Sequence, residues 1–192
     1  MRAPRTVTLI LLGALALSGC TLVPTASAPA RLSRTHIPFG LLNRTIPGTN
    51  GARVRFITQP VYIVDATGHL APSSRIVPSP PKIATVLRQL ILGPTPIEVA
   101  AGYSSALPRD LVVVSVTITH SVAAINLATS LSSLPVAQQI LAAGQLALTA
   151  KYVGAVNAIE VLVGGVAQAT LLPNHARSRV VPISQFERLT NG

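Results

Sequence analysis

The side chains able to do chemistry are few. Five carboxylates serve the whole chain: Asp65, Glu98, Asp110, Glu160 and Glu187. Four histidines, His36, His69, His120 and His175, are scattered, with no i,i+4 pair that a helix would bring to one face and no metal-ligand spacing. Asp65 and His69 meet across a turn, where Asp as turn initiator and Gly68 after it read as local capping rather than an acid–base pair. Glu98 stands three residues after Thr95 with Pro96 between, the pattern of a capping-box acid rather than a general base. Glu160 lies in a strand-forming run and reads as solvent-facing or paired with an Arg. Gly102-Tyr103-Ser104-Ser105 is not a nucleophile elbow, and no Gly-rich phosphate loop occurs. The sequence thus nominates no catalytic residue, no cofactor-binding residue and no metal ligand. The remaining reactive group is the single thiol of Cys20. One Cys excludes an internal disulfide framework and a multi-Cys zinc site.

The surroundings of that thiol give it a different chemistry. Arg2 and Arg5 precede the apolar run Val7–Ala16, which closes on Leu17-Ser18-Gly19-Cys20. A basic start, a short apolar stretch and small residues form the signal-peptide pattern. The run falls short of the roughly 20 apolar residues of a membrane span. Leu17-Ser18-Gly19-Cys20 resembles the lipobox of bacterial lipoproteins. That resemblance implies a thioether from Cys20 to a diacylglyceryl group and cleavage before Cys20. Two acyl chains supply the double anchor that stable attachment requires, at about 0.8 kcal/mol per buried CH₂. No His stands near Cys20 in sequence, so a catalytic thiol or a metal ligand there is not expected. The expected address is the extracytoplasmic face of the cell membrane, with the protein lipid-anchored.

Composition narrows the partners. Lys and Arg number 15 against 5 Asp and Glu, 49% of residues are hydrophobic, and 10% are charged against roughly 25% in an average domain. Loss of residues 1–19 removes two Arg, leaving 13 basic against 5 acidic residues, a net +8. Outside the cytoplasm such charge meets anionic head groups and acidic wall polymers. Arg31, Arg34, Arg44, Arg53 and Arg55 cluster near the anchor. With 13 Arg to 2 Lys, coding bias and solubility explain the same charge equally well. Nucleic acid is not an expected partner: export and the lack of recognition motifs outweigh the charge, and 3% aromatic residues make a poor stacking platform.

The segments divide as follows. Residues 1–19 read as a lipoprotein signal peptide, 20–52 as the lipidated Cys and a flexible tether, 53–185 as a folded domain, and 186–192 as a tail. Thr21–Gly51 is rich in Thr, Ser, Ala, Pro and Gly, and about 30 such residues span on the order of 30 Å.

Within 53–185 the periodicities alternate. Phe56-Ile57-Thr58 and Val61–Val64 read as strand, with Pro60 marking a break or an edge. Arg75-Ile76-Val77 can pair back on it. Ile83, Val86, Leu87, Leu90 and Ile91 form one helical stripe, stopped by Gly93-Pro94. Leu111–Thr119 reads as a strand with Val112, Val114, Val116 and Ile118 on one face and Val113, Ser115, Thr117 and Thr119 on the other. His120-Ser121 is a two-residue turn into Val122–Leu127. Ser130–Lys151 reads as a helix, with Val136, Ile140, Ala143, Ala147, Leu141, Leu148 and Tyr152 inward and Gln138, Gln145 and Thr149 on a narrow polar face. Ala158–Val163, Gly164-Gly165 and Val166–Leu172 read as a hairpin. The order ββ-α-ββ-α-ββ predicts an α+β two-layer sandwich: a mixed or antiparallel sheet with two main helices on one face.

These blocks resemble a known family. Val61–Asp65 with Gly68-His69-Leu70, Leu90–Thr95 with Glu98, Gly102-Tyr103, Ser105–Pro108 and Val122–Leu127 resemble the GerMN (sporulation and spore germination) domain, in particular its actinobacterial lipoprotein type. The resemblance covers about residues 56–185 and is most specific around Gly93-Pro94-Thr95. It implies no catalysis, and an extracytoplasmic binding or assembly module. Two departures stand out: His120-Ser121 replaces an Asp-Gly or Gly-Gly turn, and Asn126 replaces an Asp.

The expected function is therefore a non-enzymatic, lipid-anchored envelope protein that acts by protein–protein contact with unknown envelope proteins or by self-association. Exposed sheet edges such as Ile57–Val64 or Val166–Leu172 are candidates for strand addition. The alternative is a lipoprotein that binds a glycan, a lipid or another small ligand, for instance in a cleft lined by Arg75, Arg88 or Arg109.

Overall fold

The structure, a computed structural model, describes residues 54–190. Leu17, Ser18, Gly19, Cys20 and the segments 1–19 and 20–52 lie outside the described residues.

The first hairpin follows from its turn. Asp65 Oδ1 accepts from the Thr67 N–H at 2.8 Å, the Thr67 hydroxyl at 2.7 Å and the His69 N–H at 3.0 Å. Asp65 and His69 do meet, but through the His69 backbone; the His69 ring Nδ1 faces the Thr67 hydroxyl at 2.9 Å. This Asx turn joins β1 (Phe56–Val64) to β2 (Leu70–Pro78), which pair antiparallel from Val64–Leu70 to Phe56–Pro78. Pro60 sits inside β1 opposite Ser74. It is tolerated because β1 pairs with β2 alone and has an outer edge.

Helix α1 (Ile83–Ile91) buries Ile83, Val86, Leu87 and Leu90, the predicted stripe. A short helix α2 (Pro96–Ala100) follows, opened by the predicted capping box of Thr95 and Glu98.

The second sheet has five strands: β3 (Val113–Thr119), β4 (Val122–Leu127), β5 (Ala158–Val163), β6 (Val166–Gln168) and β9 (Val180–Pro182). β3 and β4 are antiparallel around His120-Ser121, with Thr119 opposite Val122. Both turn residues have positive φ, 50° and 63°. Along β3 the predicted alternation fails at Val114. The register shifts between Val113 and Ser115, so Val113 pairs with Leu127 and is buried, while Val112 and Val114 face solvent. A bulge inserts one extra residue and reverses the faces on either side of it.

Helix α3 (Val136–Lys151) starts later than the sequence implies. Leu131–Ser133 forms a 3-10 turn and Leu134 is extended at ψ 154°, because the residue before Pro135 avoids the helical region. Gln139 ties the two pieces, donating to the carbonyls of Leu134 at 2.7 Å and Ser132 at 3.1 Å. α3 connects β4 to β5, and these strands are parallel neighbours. A parallel pair requires a crossover of this kind, so one βαβ unit sits inside an otherwise antiparallel arrangement. Along its other edge β5 carries β9 beside Ala158–Glu160 and β6 beside Val161–Val163.

The faces of α3 differ from the helical-wheel reading. Gln145 and Thr149, expected on a polar face, are fully buried, whereas Val136 and Tyr152 are half exposed. The core joins Val61, Ile63 and Leu70 of the hairpin, Leu87 and Leu90 of α1, Leu146 of α3, and Ile125 and Ile159 of the second sheet. Ser115, Thr117 and Thr119 lie on the opposite, exposed side. The architecture is the predicted mixed α+β arrangement, with β1–β2 hydrogen-bonded separately from the larger sheet.

The predicted last strand breaks at Ala169. β7 (Thr170–Leu171) leaves β6 and pairs with β8 (Arg177–Ser178). A final 3-10 helix, Ile183–Leu189, buries Phe186 and Ile183 against the core. Thr190 bridges Leu70. The ordered structure therefore runs past residue 185 into the segment read as a tail. No helix among the described residues is long and apolar enough to cross a membrane.

Candidate binding cleft at the end of the first helix

The block between α1 and Leu111 folds back over the first hairpin and encloses a cleft of about 530 Å³, within the 300–1,000 Å³ common for ligand sites. Leu92, Pro94, Val99, Tyr103, Leu107 and Arg109 are among the residues that line it.

One wall is held by a salt bridge. Arg75 Nη2 lies 2.9 Å from Glu98 Oε2, with both side chains largely buried. Arg75 Nη1 donates to Glu98 Oε1 at 3.0 Å, to the Ser73 hydroxyl at 2.7 Å and to the Ser74 carbonyl at 3.0 Å; Nη2 also donates to the Gly93 carbonyl at 3.1 Å. Such a two-pronged pair is both strong and directional. Glu98 further accepts from the Ser73 hydroxyl and from the Thr95 N–H at 2.6 Å. The Arg75 guanidinium first, then Ser73 and Thr95, outweigh burial and hold the Glu98 carboxyl at about 2. Glu98 is thus a locked anion that fastens α2 to β2, the opposite of a proton-exchanging group.

The floor is held by α3. Gln145 Oε1 accepts from the Ala106 N–H at 2.8 Å and the Ser105 hydroxyl at 3.4 Å, while Nε2 donates to the Tyr62 carbonyl at 2.9 Å. Ser104 pairs with Val64 through both backbone groups, at 2.7 and 2.9 Å. Between floor and wall the chain turns at Gly102, φ 86°. A Cβ there would stand 2.9 Å from the Ala66 Cβ, so the turn needs glycine on two counts.

Of the three arginines proposed to line a cleft, the structure places only Arg109 there. Arg75 is consumed by Glu98, and the exposed Arg88 on α1 is not part of the lining. The Ile57–Val64 edge is also closed over its last turn: the Tyr62 N–H donates to Thr149 Oγ1 at 3.0 Å and Val64 is taken by Ser104. The Val166–Leu172 edge is broken at Ala169. Asn126 gains a role the sequence did not disclose. Its Oδ1 accepts from the Gly165 N–H at 3.1 Å and pins the Gly164-Gly165 turn. Among the described residues no three His, Cys, Asp or Glu side chains group as metal ligands.

The family model described as Germane, sporulation and spore germination, matches residues 60–169, more than half of the chain and the whole of this cleft. The chain belongs to the Germane family. Two solved structures share the fold. The tandem GerMN domains of the sporulation protein GerM from Bacillus subtilis align with a TM-score of 0.53 at 15% identity, covering 76% of this chain and 50% of that one. The first GerMN domain of the same protein aligns with a TM-score of 0.51 at 16% identity, covering 67% of this chain and 98% of that one. This chain therefore spans half the length of the tandem structure and matches a single domain of it. No curated protein matches the chain. In this Germane domain the blocks Leu90–Thr95, Gly102-Tyr103 and Ser105–Pro108 all contribute residues to the cleft lining, or turn the chain beside it.

Proposed function

We propose that this Germane-family chain is a lipid-anchored cell-envelope protein that acts by protein contact on the extracytoplasmic side of the membrane, without catalysing a reaction. The observation that carries the reading is the character of the cleft. Its lining sets Leu92, Pro94 and Val99 beside Tyr103, Ser104 and Arg109, the Glu98 carboxylate behind it is locked by Arg75, and Gln145 holds the Ser105-Ala106 stretch in place. Such a surface is suited to recognition by shape and charge, because preorganised groups lose little freedom on binding. The pattern Leu17-Ser18-Gly19-Cys20 supports the anchoring half of the proposal.

Affinity capture of the tagged full chain from detergent-solubilised envelope tests it. A specific envelope protein, recovered reproducibly and lost with the doubly altered cleft Val99→Asp, Leu107→Asp, is the expected result. Recovery of the bait alone, under mild crosslinking as well, contradicts the reading.

A further inference from the structure

We propose that the cleft at the end of α1 receives an extended, acidic-aliphatic segment of a protein partner, with a carboxylate side chain against Arg109 and an aliphatic side chain against Leu92, Pro94 and Val99. The inference rests on the contact function proposed above and names the chemistry of the partner.

Three observations carry it. Large apolar side chains are unusually exposed at this corner: Leu92 at 76%, Val99 at 56%, and Ile97, on the same short helix as Val99, at 83%. Apolar exposure concentrated at a cleft marks an interaction site more than solitary surface residues do. Next, a single charged side chain lines the cleft. Glu98 is neutralised by Arg75, whereas Arg109 is exposed and makes no hydrogen bond or ion pair among the described residues. Asp110, its sequence neighbour, forms no ion pair among the described residues either. Arg109 is the one charged residue of the lining, with Asp110 outside it, and its guanidinium favours a carboxylate by its fork geometry.

Backbone accounting then narrows the mode of capture. The N–H groups of Tyr103, Ser104, Ala106 and Leu107 already donate, to the Glu98 carbonyl at 2.9 Å, the Val64 carbonyl at 2.7 Å, Gln145 Oε1 at 2.8 Å and Ser105 Oγ at 3.2 Å. With these four committed, the stretch 103–107 offers no run of alternate N–H groups to which a strand could add, one of the backbone-led modes of peptide capture. Recognition falls to side chains: Arg109 for the acid, the aliphatic wall for its neighbour, and the hydroxyls of Tyr103 and Ser104, which make no hydrogen bond among the described residues, for orientation.

The test uses the full chain in detergent and two fluorescent pools of acetylated, amidated pentapeptides. One pool carries a central Asp or Glu flanked by Leu, Ile or Val; the other carries Asn or Gln in its place. Fluorescence anisotropy is expected to show saturable binding of the acidic pool and about tenfold weaker binding of the amide pool. Arg109→Gln should reduce the acidic pool to the amide level, and Val99→Asp should abolish binding. Arg188→Gln, an exposed change on the last 3-10 helix, should leave it unaltered. Equal binding of the two pools, an Arg109→Gln affinity within twofold of the parent, or no saturable binding overturns the proposal. So does a co-purified small molecule that Val99→Asp displaces. If envelope capture succeeds and survives Arg109→Gln while peptide binding fails, the peptide proposal falls and the contact function stands; if capture itself fails, the contact function falls.

Discussion

Gln145 holds Tyr62 from the side. Its amide donates to the Tyr62 carbonyl at 2.9 Å, and one turn later Thr149 accepts the Tyr62 N–H at 3.0 Å. Two side chains spaced i,i+4 on α3 thus stand where a neighbouring strand would be, and the same Gln145 reaches the cleft floor at Ala106. Helix, hairpin and cleft are joined through one buried amide.

Removing that amide should be costly. Gln145→Met keeps the volume and leaves the Tyr62 carbonyl and the Ala106 N–H without partners. A buried unsatisfied group costs about 1–3 kcal/mol, so urea unfolding should report a loss of about 2–4 kcal/mol. Thr149→Val, which orphans one group, should lose about half as much. A loss below about 0.5 kcal/mol for Gln145→Met would show that water replaces the amide at no cost.

The Arg75–Glu98 pair makes a pH prediction. The Glu98 carboxyl sits at about 2 in the fold against an ordinary 4.5. A depressed acid contributes stability that is present above its unfolded value and disappears as pH falls through its folded value. The contribution, on the order of 2 kcal/mol after allowance for solvent, should be intact at pH 6 and vanish between pH 4.5 and 2. Glu98→Gln should be less stable than the parent at pH 6, and the gap should narrow across that window. A constant gap would locate the destabilisation elsewhere.

How much of this was legible depends on the range of the interactions. The first hairpin, α1 and the Thr95–Glu98 box were readable because Asp65, Gly93 and Glu98 act on residues a few positions away. The inward turn of Gln145 and Thr149 was not, because their partner Tyr62 lies more than 80 residues upstream. The Val114 bulge left no mark in an unbroken valine run, and Phe186 is one aromatic residue in an aperiodic stretch. The parallel pairing of β4 with β5 had a signal, a long helix between two short strands, that points to a crossover. At the site, the block around Gly93-Pro94-Thr95 was visible and Arg109 was among three candidates; only the structure shows that Arg75 is already committed to Glu98.

The β3–β4 turn should be improvable. His120 and Ser121 hold φ of 50° and 63°, where non-glycine residues are disfavoured by roughly 1–2 kcal/mol. Ser121→Gly should raise stability by up to about 1 kcal/mol, visible as an upward shift of the thermal midpoint. Unchanged or lower stability would mean that the Ser121 side chain makes up for the strain.

Gly144 predicts the reverse. Alanine is the better helix former by about 1 kcal/mol, but a Cβ here would lie 2.7 Å from Leu70 Cδ1 and 3.3 Å from both Phe186 and Leu189. Leu70 is itself enclosed in the core, so it cannot swing away freely. Overpacking of about 1–3 kcal/mol should win, and Gly144→Ala should lower the unfolding midpoint. A higher midpoint would show that the Leu70 side chain repacks at little cost.

Anchoring is the premise beneath the contact function, and intact-mass spectrometry of the protein purified from native membranes tests it most directly. The account predicts a polypeptide that begins at Cys20 and carries the added mass of a diacylglyceryl group on that residue. A chain that retains Leu17-Ser18-Gly19, or one that begins elsewhere without lipid, would contradict it.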